Sequence, residues 1–285
     1  MAPTRPTLAR ARSVLAGADV DSPDTDAAVL MAYVLGVERT RLFLIDEITD
    51  EQEHMYADLV ARRARREPLQ HLTGVAHFRY VDLAVGPGVF VPRPETELLA
   101  GWAIEQLADE QAPIVVDLCT GSGAIARSIA DEVPHARVYA VELDEQAYGW
   151  AQRNLEGTGV DLRQGDFAEA FRDLDGTVDV VVCNPPYIPL TAWESVAQEA
   201  RDHDPELALF SGQDGLDAIR VLEQRAAQLL KNGGVLGFEH ADEQGPNAEN
   251  GGAPAVLTAT GRWADVRDHD DLAGRPRFTT GRLAT

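Results

Sequence analysis

Lysine is nearly absent from this chain: Lys231 stands alone beside 24 arginines among 285 residues. Codon bias and salt adaptation each produce such a composition. Cations of either kind are outnumbered by 47 Asp and Glu, so the formal net charge is −22. A protein that tracks the phosphates of a duplex needs cationic surface, and an average this acidic repels them. The deficit is uneven. Residues 1–75 hold 9 Arg against 12 acids, for −3, and residues 76–285 carry −19. Acidity of this kind favours solubility and a basic protein partner. Cysteine is sparse too. Cys119 and Cys183 provide neither a disulfide framework nor a metal cluster, and both read as small packed residues at strand ends. No apolar run approaches membrane-spanning length, and the Arg-bearing N-terminus lacks the apolar centre of a signal peptide. A cytoplasmic protein without a membrane partner is expected.

What is present is a change of pattern along the chain. Residues 1 to about 75 read as helices only. Ser22-Pro23-Asp24 supplies a cap, a first-turn proline and an acid at the positive helix end. The apolar run from Ala27 to Leu35 follows, and Gly36 closes it. A second helix runs from near Asp50 through Met55, Leu59 and Val60 to Arg66, stopped by Pro68. Its last turns hold Arg62, Arg63, Arg65 and Arg66, which serve equally well as cations complementing the helix end or as a partner-binding patch. A helical module without chemistry is most simply a docking domain.

The period then shifts. His77 to Val85 and Val89 to Val91 read as paired strands around Gly86-Pro87-Gly88. Pro92-Arg93-Pro94-Glu95-Thr96-Glu97 opens a helix through Leu98, Leu99 and Trp102, and its prolines pin the segment where it can wall a pocket. From Pro113 strands alternate with helices: strands at 113–119, 137–143, 160–165, 178–183 and 233–240, helices near 124–132, 145–156 and 215–231. A closing hairpin at 264–269 and 277–283 and a surface loop at 245–254 complete the pattern. This is an α/β chain with a doubly wound sheet, whose ligands lie beyond the carboxyl ends of the strands where the strand order reverses.

Two strand ends carry the chemistry. Val178 to Cys183 is β-branched with one charge, a strand buried on both faces, and it stops in Asn184-Pro185-Pro186-Tyr187. Two prolines end its ladder and fix the neighbouring carbonyls. The rim so formed suits a planar –NH2 group: the Asn184 carboxamide oxygen and the Pro185 carbonyl accept its protons, and Tyr187 packs on its plane. Asn-Pro alone would mark only a turn. The second end is Asp117-Leu118-Cys119-Thr120-Gly121-Ser122-Gly123, a glycine loop that enters a helix and lets a ligand approach the backbone. Glu142, at the end of the next strand, is placed to accept from both ribose hydroxyls. Asp166 and Phe167, at the end of the third, offer a carboxylate and a ring to an adenine. Each has a capping or packing explanation singly; three at consecutive strand ends favour a nucleoside. Ala126 replaces the third glycine of the dinucleotide fingerprint, and no Lys-Ser/Thr pair follows the loop as in a triphosphatase. S-adenosylmethionine, with ribose, adenine and an amino-acid end but no phosphate, fits better, with Asp117 facing its ammonium group.

These segments resemble the peptide chain release factor N5-glutamine methyltransferases of the PrmC, or HemK, type. The likeness covers most of the chain: Pro68 to Gly74, Pro87 to Glu97, Asp117 to Gly123, Asn184 to Pro189, Asp214-Gly215-Leu216-Asp217 and Asp271 to Arg275. Pro-Arg-Pro-Glu-Thr-Glu is its most specific part. The resemblance implies a seven-stranded Rossmann-like methyltransferase sheet (98–285), a hairpin linker (76–97) and a small helical domain (1–75) that docks the release factor. The substrate implied is the glutamine of a Gly-Gly-Gln loop. By position, Cys119, Thr120, Gly121, Ser122, Gly123, Glu142 and Phe167 would contact the cofactor. Asn184, Pro185, Pro186 and Tyr187 would contact the glutamine, with Asn184 bordering the cofactor as well. Cys119 stands where the family usually has glycine, Glu142 where it has aspartate, and Phe238-Glu239-His240-Ala241 replaces a more apolar ending.

An amide nitrogen is a poor nucleophile and a sulfonium methyl is already activated, so the protein has chiefly to align them. Acceptors on the nitrogen's protons stabilise the charge that develops there. The rivals are an amino-group methylase of nucleic acid or of a ribosomal-protein glutamine, a non-catalytic adaptor, and, more distantly, an NAD-dependent oxidoreductase. Direct nucleic-acid binding is not expected at −19, because a base-flipping enzyme needs a phosphate-tracking groove.

Overall fold

The computed structural model describes residues 1–108, 110–249 and 251–284. Cα packing divides the chain into two units: residues 1–75 with 85–87 and 197–203, and the remainder.

In the first unit β1 (Ala2–Pro3) pairs antiparallel with β2 (Glu47–Ile48), so it is not helical throughout. The bridge is two residues long, too short for alternation to reveal it, and Thr4 N–H donating to the Asp46 carbonyl at 2.9 Å continues it. The helices are α1 (Thr4–Gly17), α2 (Pro23–Leu35), α3 (Asp50–Ala64) and α4 (Leu69–Thr73). Gly36 caps α2 in the left-handed conformation, as its position suggests. Thr49 and Gln52 form a reciprocal capping box at the start of α3. Leu15, Leu30, Met31, Ile48 and Tyr56 make the core, and the Tyr56 hydroxyl donates to the Ala27 carbonyl at 3.0 Å. The arginine cluster is mostly engaged within this unit. Arg63 is 6% exposed. Its Nε donates to Asp26 at 2.7 Å and its Nη atoms to both oxygens of Glu199 at 2.7 and 3.2 Å. Arg62 pairs with Glu67, and Arg66 binds the Asp19 carbonyl. Arg65 remains exposed. Acids and a backbone carbonyl of the same unit thus engage three of the four. Glu199 comes from a short helix, α8 (Gln198–His203), that belongs to this unit.

The hairpin is β3 (Val75–Phe78) with β4 (Val81–Ala84). It turns at Arg79-Tyr80, not at Gly86-Pro87-Gly88, and 86–91 form no strand. Arg79 takes φ = 50°. Its guanidinium is gripped by both oxygens of Glu132 at 2.6 and 2.7 Å and donates to the Glu97 carbonyl at 3.2 Å. Tertiary contacts therefore set a turn that local turn chemistry does not indicate.

The large sheet contains β5 (Ile114–Leu118), β6 (Arg137–Glu142), β7 (Asp161–Gln164), β8 (Val178–Cys183), β9 (Leu230–Glu239), β10 (Trp263–Asp270) and β11 (Pro276–Leu283). Their order is β10-β11-β9-β8-β5-β6-β7, seven strands in all. The five from β5 to β9 are parallel, and β11 returns antiparallel beside β9. The helices α5 (Thr96–Leu107), α6 (Ala124–Glu132), α7 (Glu145–Leu155) and α10 (Asp217–Leu229) cover the sheet, with a single turn α9 (Glu206–Leu209) before the last. Residues 245–254 are not loop throughout, since α11 (Gly252–Thr258) begins inside them with Gly252 and Ala253 buried. The chain proceeds from β5 outward through β6 and β7, then crosses back to β8. The order therefore reverses between β5 and β8, and the Leu118↔Cys183 register sets their carboxyl ends side by side. No helix among the described residues is long and apolar enough to cross a membrane.

Candidate active site

The turn leaving β5 is left-handed at Cys119 (φ 63°), Gly121 (58°) and Gly123 (86°). For an L-residue such as Cys119 that conformation costs roughly 1–2 kcal/mol, which explains why glycine suits the position. Cys119 is half-buried, and its contact with Cys183 and the burial of the latter push the Cys183 thiol well above its usual range, burial being the larger cause. A Cβ built on Gly121 would meet nothing within 4 Å, so the space above the loop is open. Below it lies Asp117, fully buried. Its Oδ2 accepts from the Thr120 hydroxyl at 2.6 Å and from Ala126 N–H at 3.2 Å. Its Oδ1 has no hydrogen-bond partner among the described residues. Burial pushes this carboxyl up to about 7, the nearby Glu142 charge adds to the rise, and the two hydrogen bonds oppose it. A buried carboxylate oxygen without a donor is costly, and a ligand cation would satisfy it.

Glu142 ends β6 with one oxygen on Gly121 N–H at 2.8 Å and the other on Asp144 N–H at 2.9 Å. Burial raises its pKa against those bonds. The longer side chain thus ties the glycine loop to the next strand end while each oxygen keeps capacity for a second donor. Ser122 is buried and its carbonyl accepts from Asn154 at 2.8 Å. Asp166 is exposed and turns back on Ala168 N–H at 2.9 Å, while Phe167 is partly buried against the sheet's core.

The adjacent end of β8 carries Asn184, half-buried, followed by buried Pro185 and half-buried Pro186 and Tyr187. This rim is held from behind. Gln244 donates to the Tyr187 carbonyl at 2.9 Å and to the Asp214 carbonyl at 3.2 Å. Beyond it, Ile188 and Phe210 form a parallel bridge. Gly215, left-handed at φ = 77°, passes so close that a Cβ there would lie 2.2 Å from the Tyr187 carbonyl oxygen. Gly215→Ala is therefore expected to cost about 1–3 kcal/mol, as overpacking does, and to lower turnover by shifting the rim. Denaturant unfolding and initial rates check both, and an alanine variant with the parent's stability and rate would contradict the contact.

A second carboxylate stands behind Asn184. Glu239, at the end of β9, is 1% exposed. Its Oε2 accepts from the Thr96 hydroxyl at 2.6 Å and its Oε1 from the Tyr187 hydroxyl at 2.9 Å. Asn184 Nδ2 lies 3.4 Å from Thr96 Oγ1. Thr96 reaches this point because α5 crosses β9 at Gly237, where any Cβ would meet the Trp102 ring at 2.3 Å. Burial raises the Glu239 pKa, opposed by its two hydroxyl donors and by Arg277. Burial, then Glu239, lifts the Tyr187 phenol well above its ordinary value. Sequence reasoning placed Thr96 only in a pocket wall and Glu239 only among departures, and it missed Gln244. The partners that hold them at the rim lie 52, 57 and 143 residues away, and no local pattern marks them.

A mostly parallel sheet with an acid-and-glycine loop at its switch point fits a methyltransferase, and the methyltransferase domain family matches residues 115–203. The PrmC N-terminal domain family matches residues 7–74. The release factor glutamine methyltransferase of Streptomyces coelicolor is 58% identical over 279 residues, 97% of either chain. That of Mycolicibacterium smegmatis is 44% identical over 278 residues, 97% of this chain and 96% of that one. The 4-amino-L-phenylalanine/4-methylamino-L-phenylalanine methyltransferase of Streptomyces pristinaespiralis is 47% identical over 210 residues, 72% of this chain and 70% of that one. This chain belongs to the release factor glutamine methyltransferases.

Proposed function

We propose that this protein transfers the methyl group of S-adenosylmethionine to the side-chain amide nitrogen of the glutamine in the Gly-Gly-Gln loop of peptide chain release factors. Likeness along the whole length carries this reading. Identity alone does not separate the amide substrate from an aromatic amine, since 47% lies between 58% and 44%. Coverage does, at 97% of each chain against 72% and 70%. The reading places the protein in the cytoplasm with release factors as partners, docked by the helical unit of residues 1–75.

The bound cofactor supplies a methyl group on a positively charged sulfur. Asp117 suits its ammonium group, because Oδ1 is buried without a donor. Glu142 has the free capacity for ribose hydroxyls, and Asp166 and Phe167 stand where an adenine would lie. Cys119, Thr120, Gly121, Ser122 and Gly123 line the approach, and Asn184 borders it. On the substrate side Asn184 Oδ1 and the Pro185 carbonyl accept the two amide protons, and Pro186 and Tyr187 shape the slot. Charge grows on the nitrogen as its new bond forms, so those acceptors stabilise the transition state more than the ground state.

A pH dependence follows from Asp117. Its folded value of about 7 lies above that of an exposed aspartate, so the native state without cofactor holds the proton more tightly than the unfolded chain. Its contribution therefore lowers stability as pH rises from about 4 toward 7. A cation requires the ionised form. Cofactor affinity should fall by up to about tenfold per unit well below pH 7. Calorimetric titration across pH 5.5 to 8 checks this, and Asp117→Asn should bind weakly at every pH. A parent affinity unchanged at pH 5.5 would remove Asp117 from the cofactor site.

The substrate class is tested by incubating the protein with methyl-labelled S-adenosylmethionine and, separately, release factor, RNA, DNA and 4-amino-L-phenylalanine. Label should enter the release factor. Label in nucleic acid or the free amino acid, with release factor blank, would contradict the reading.

A further inference from the structure

A carboxamide has two ends of nearly equal shape and opposite hydrogen-bonding sense. If Asn184 is to receive a substrate –NH2, its oxygen must face the slot; turned over, it would set donor against donor. We propose that Thr96, held by Glu239, fixes which end of the Asn184 carboxamide faces the substrate, so that Thr96 and Glu239 are positioning residues for methyl transfer to an amide. This rests on Asn184 being the acceptor.

A carboxylate only accepts, and a threonine hydroxyl has a single proton to give. Glu239 accepts from Thr96 at 2.6 Å through one oxygen and from Tyr187 at 2.9 Å through the other. The Thr96 proton is therefore engaged, and what Oγ1 turns toward Asn184, 3.4 Å away, is a lone pair. Only the Nδ2 end of Asn184 can answer a lone pair. The separation is long, as such contacts often are before substrate closes the site. The opposite end, Oδ1, accepts no hydrogen bond from any described residue.

The placement of Glu239 supports the same conclusion. It is almost wholly buried, and among the described residues no cation lies within ion-pair distance of it. Arg277 and Glu95 act on it only at longer range. Burying a carboxylate on hydroxyl partners alone is unfavourable compared with a neutral residue. Here it does what a neutral residue would not: it forces the polarity of two hydroxyls at once. One sets the Asn184 carboxamide and the other holds the Tyr187 ring in the rim.

Thr96→Ser and Thr96→Ala lose the same methyl group and differ only in the hydroxyl. In the full-length protein Thr96→Ser should keep kcat within about threefold, and Thr96→Ala should lose on the order of tenfold or more, the loss expected when a buried hydrogen-bond partner is removed. KM for release factor should change less than kcat, because the Asn184 acceptor acts chiefly on charge that develops in the transition state. Calorimetric affinity for S-adenosylmethionine should stay near the parent value, because Asp117 and Glu142 are held by the glycine loop. Thr96→Val, which keeps the bulk, should match Thr96→Ala. Equal kcat for the Ser and Ala variants would overturn the proposal. If Asn184→Ala is then impaired, the reading of Asn184 survives; if that variant too turns over like the parent, the reading itself fails. Should the Ala variant melt markedly below the Ser variant, the Val variant carries the comparison, and parent-like kcat in it would overturn the proposal just as well.

Discussion

Asn184→Ala is expected to lower turnover by about two orders of magnitude or more, as loss of one preorganised hydrogen-bonding partner does in other active sites. Asn184 ends a strand buried along its length, its backbone is followed by two prolines, and the rim is braced by Gln244 and Gly215. The carboxamide therefore waits in position and needs no reorganisation at the moment of transfer. Truncation removes a single long bond to Thr96, so the fold should lose less than ~1.5 kcal/mol. Cofactor affinity should stay near that of the parent, since Asp117 and Glu142 are held by the glycine loop and not by the rim. The measurements are single-turnover rates with saturating release factor, a cofactor titration and a melting curve. Undiminished turnover would mean that another group grips the amide.

The largest effect on stability is expected in the helical unit. Arg63→Met should destabilise the helical unit by about 3–5 kcal/mol, the usual result of removing one partner from a buried ion pair. Arg63 lies between Asp26 and Glu199, whose side chains are 8% and 21% exposed, and also donates to the Glu67 carbonyl at 3.0 Å. A thioether fills the space but leaves two partly buried acids facing each other. Hydrogen exchange of the α1–α3 amides, or denaturant unfolding followed by a probe in this unit, reads the loss. Exchange no faster than in the parent would show that solvent, not Arg63, balances those acids.

Much of the candidate site was legible because the backbone features that shape it are local. Asn184 to Tyr187 and Asp117 to Gly123 announce themselves as strand ends whose prolines and glycines dictate backbone shape, and the sheet brings them together through the Leu118↔Cys183 register. The parallel strands were plain too, most of all Val178 to Cys183, a β-branched run buried along most of its length. What stayed hidden has a physical cause in each case. Helix α1 buries Thr4, Thr7, Ala11 and Leu15, a face at helical spacing of which half is threonine, so no apolar stripe shows. The turn at Arg79 is imposed by Glu132 across 53 residues. Glu239 lies 143 residues from Thr96, and a buried carboxylate on a strand resembles any acid until its partners are seen.

The substrate assignment is tested most directly by mass spectrometry of peptides from a release factor incubated with this protein and S-adenosylmethionine. One methyl group on the glutamine of the Gly-Gly-Gln loop, absent when Asn184→Ala replaces the parent, is the predicted result. A release factor left unmodified by the parent, or one methylated at another residue, would contradict it.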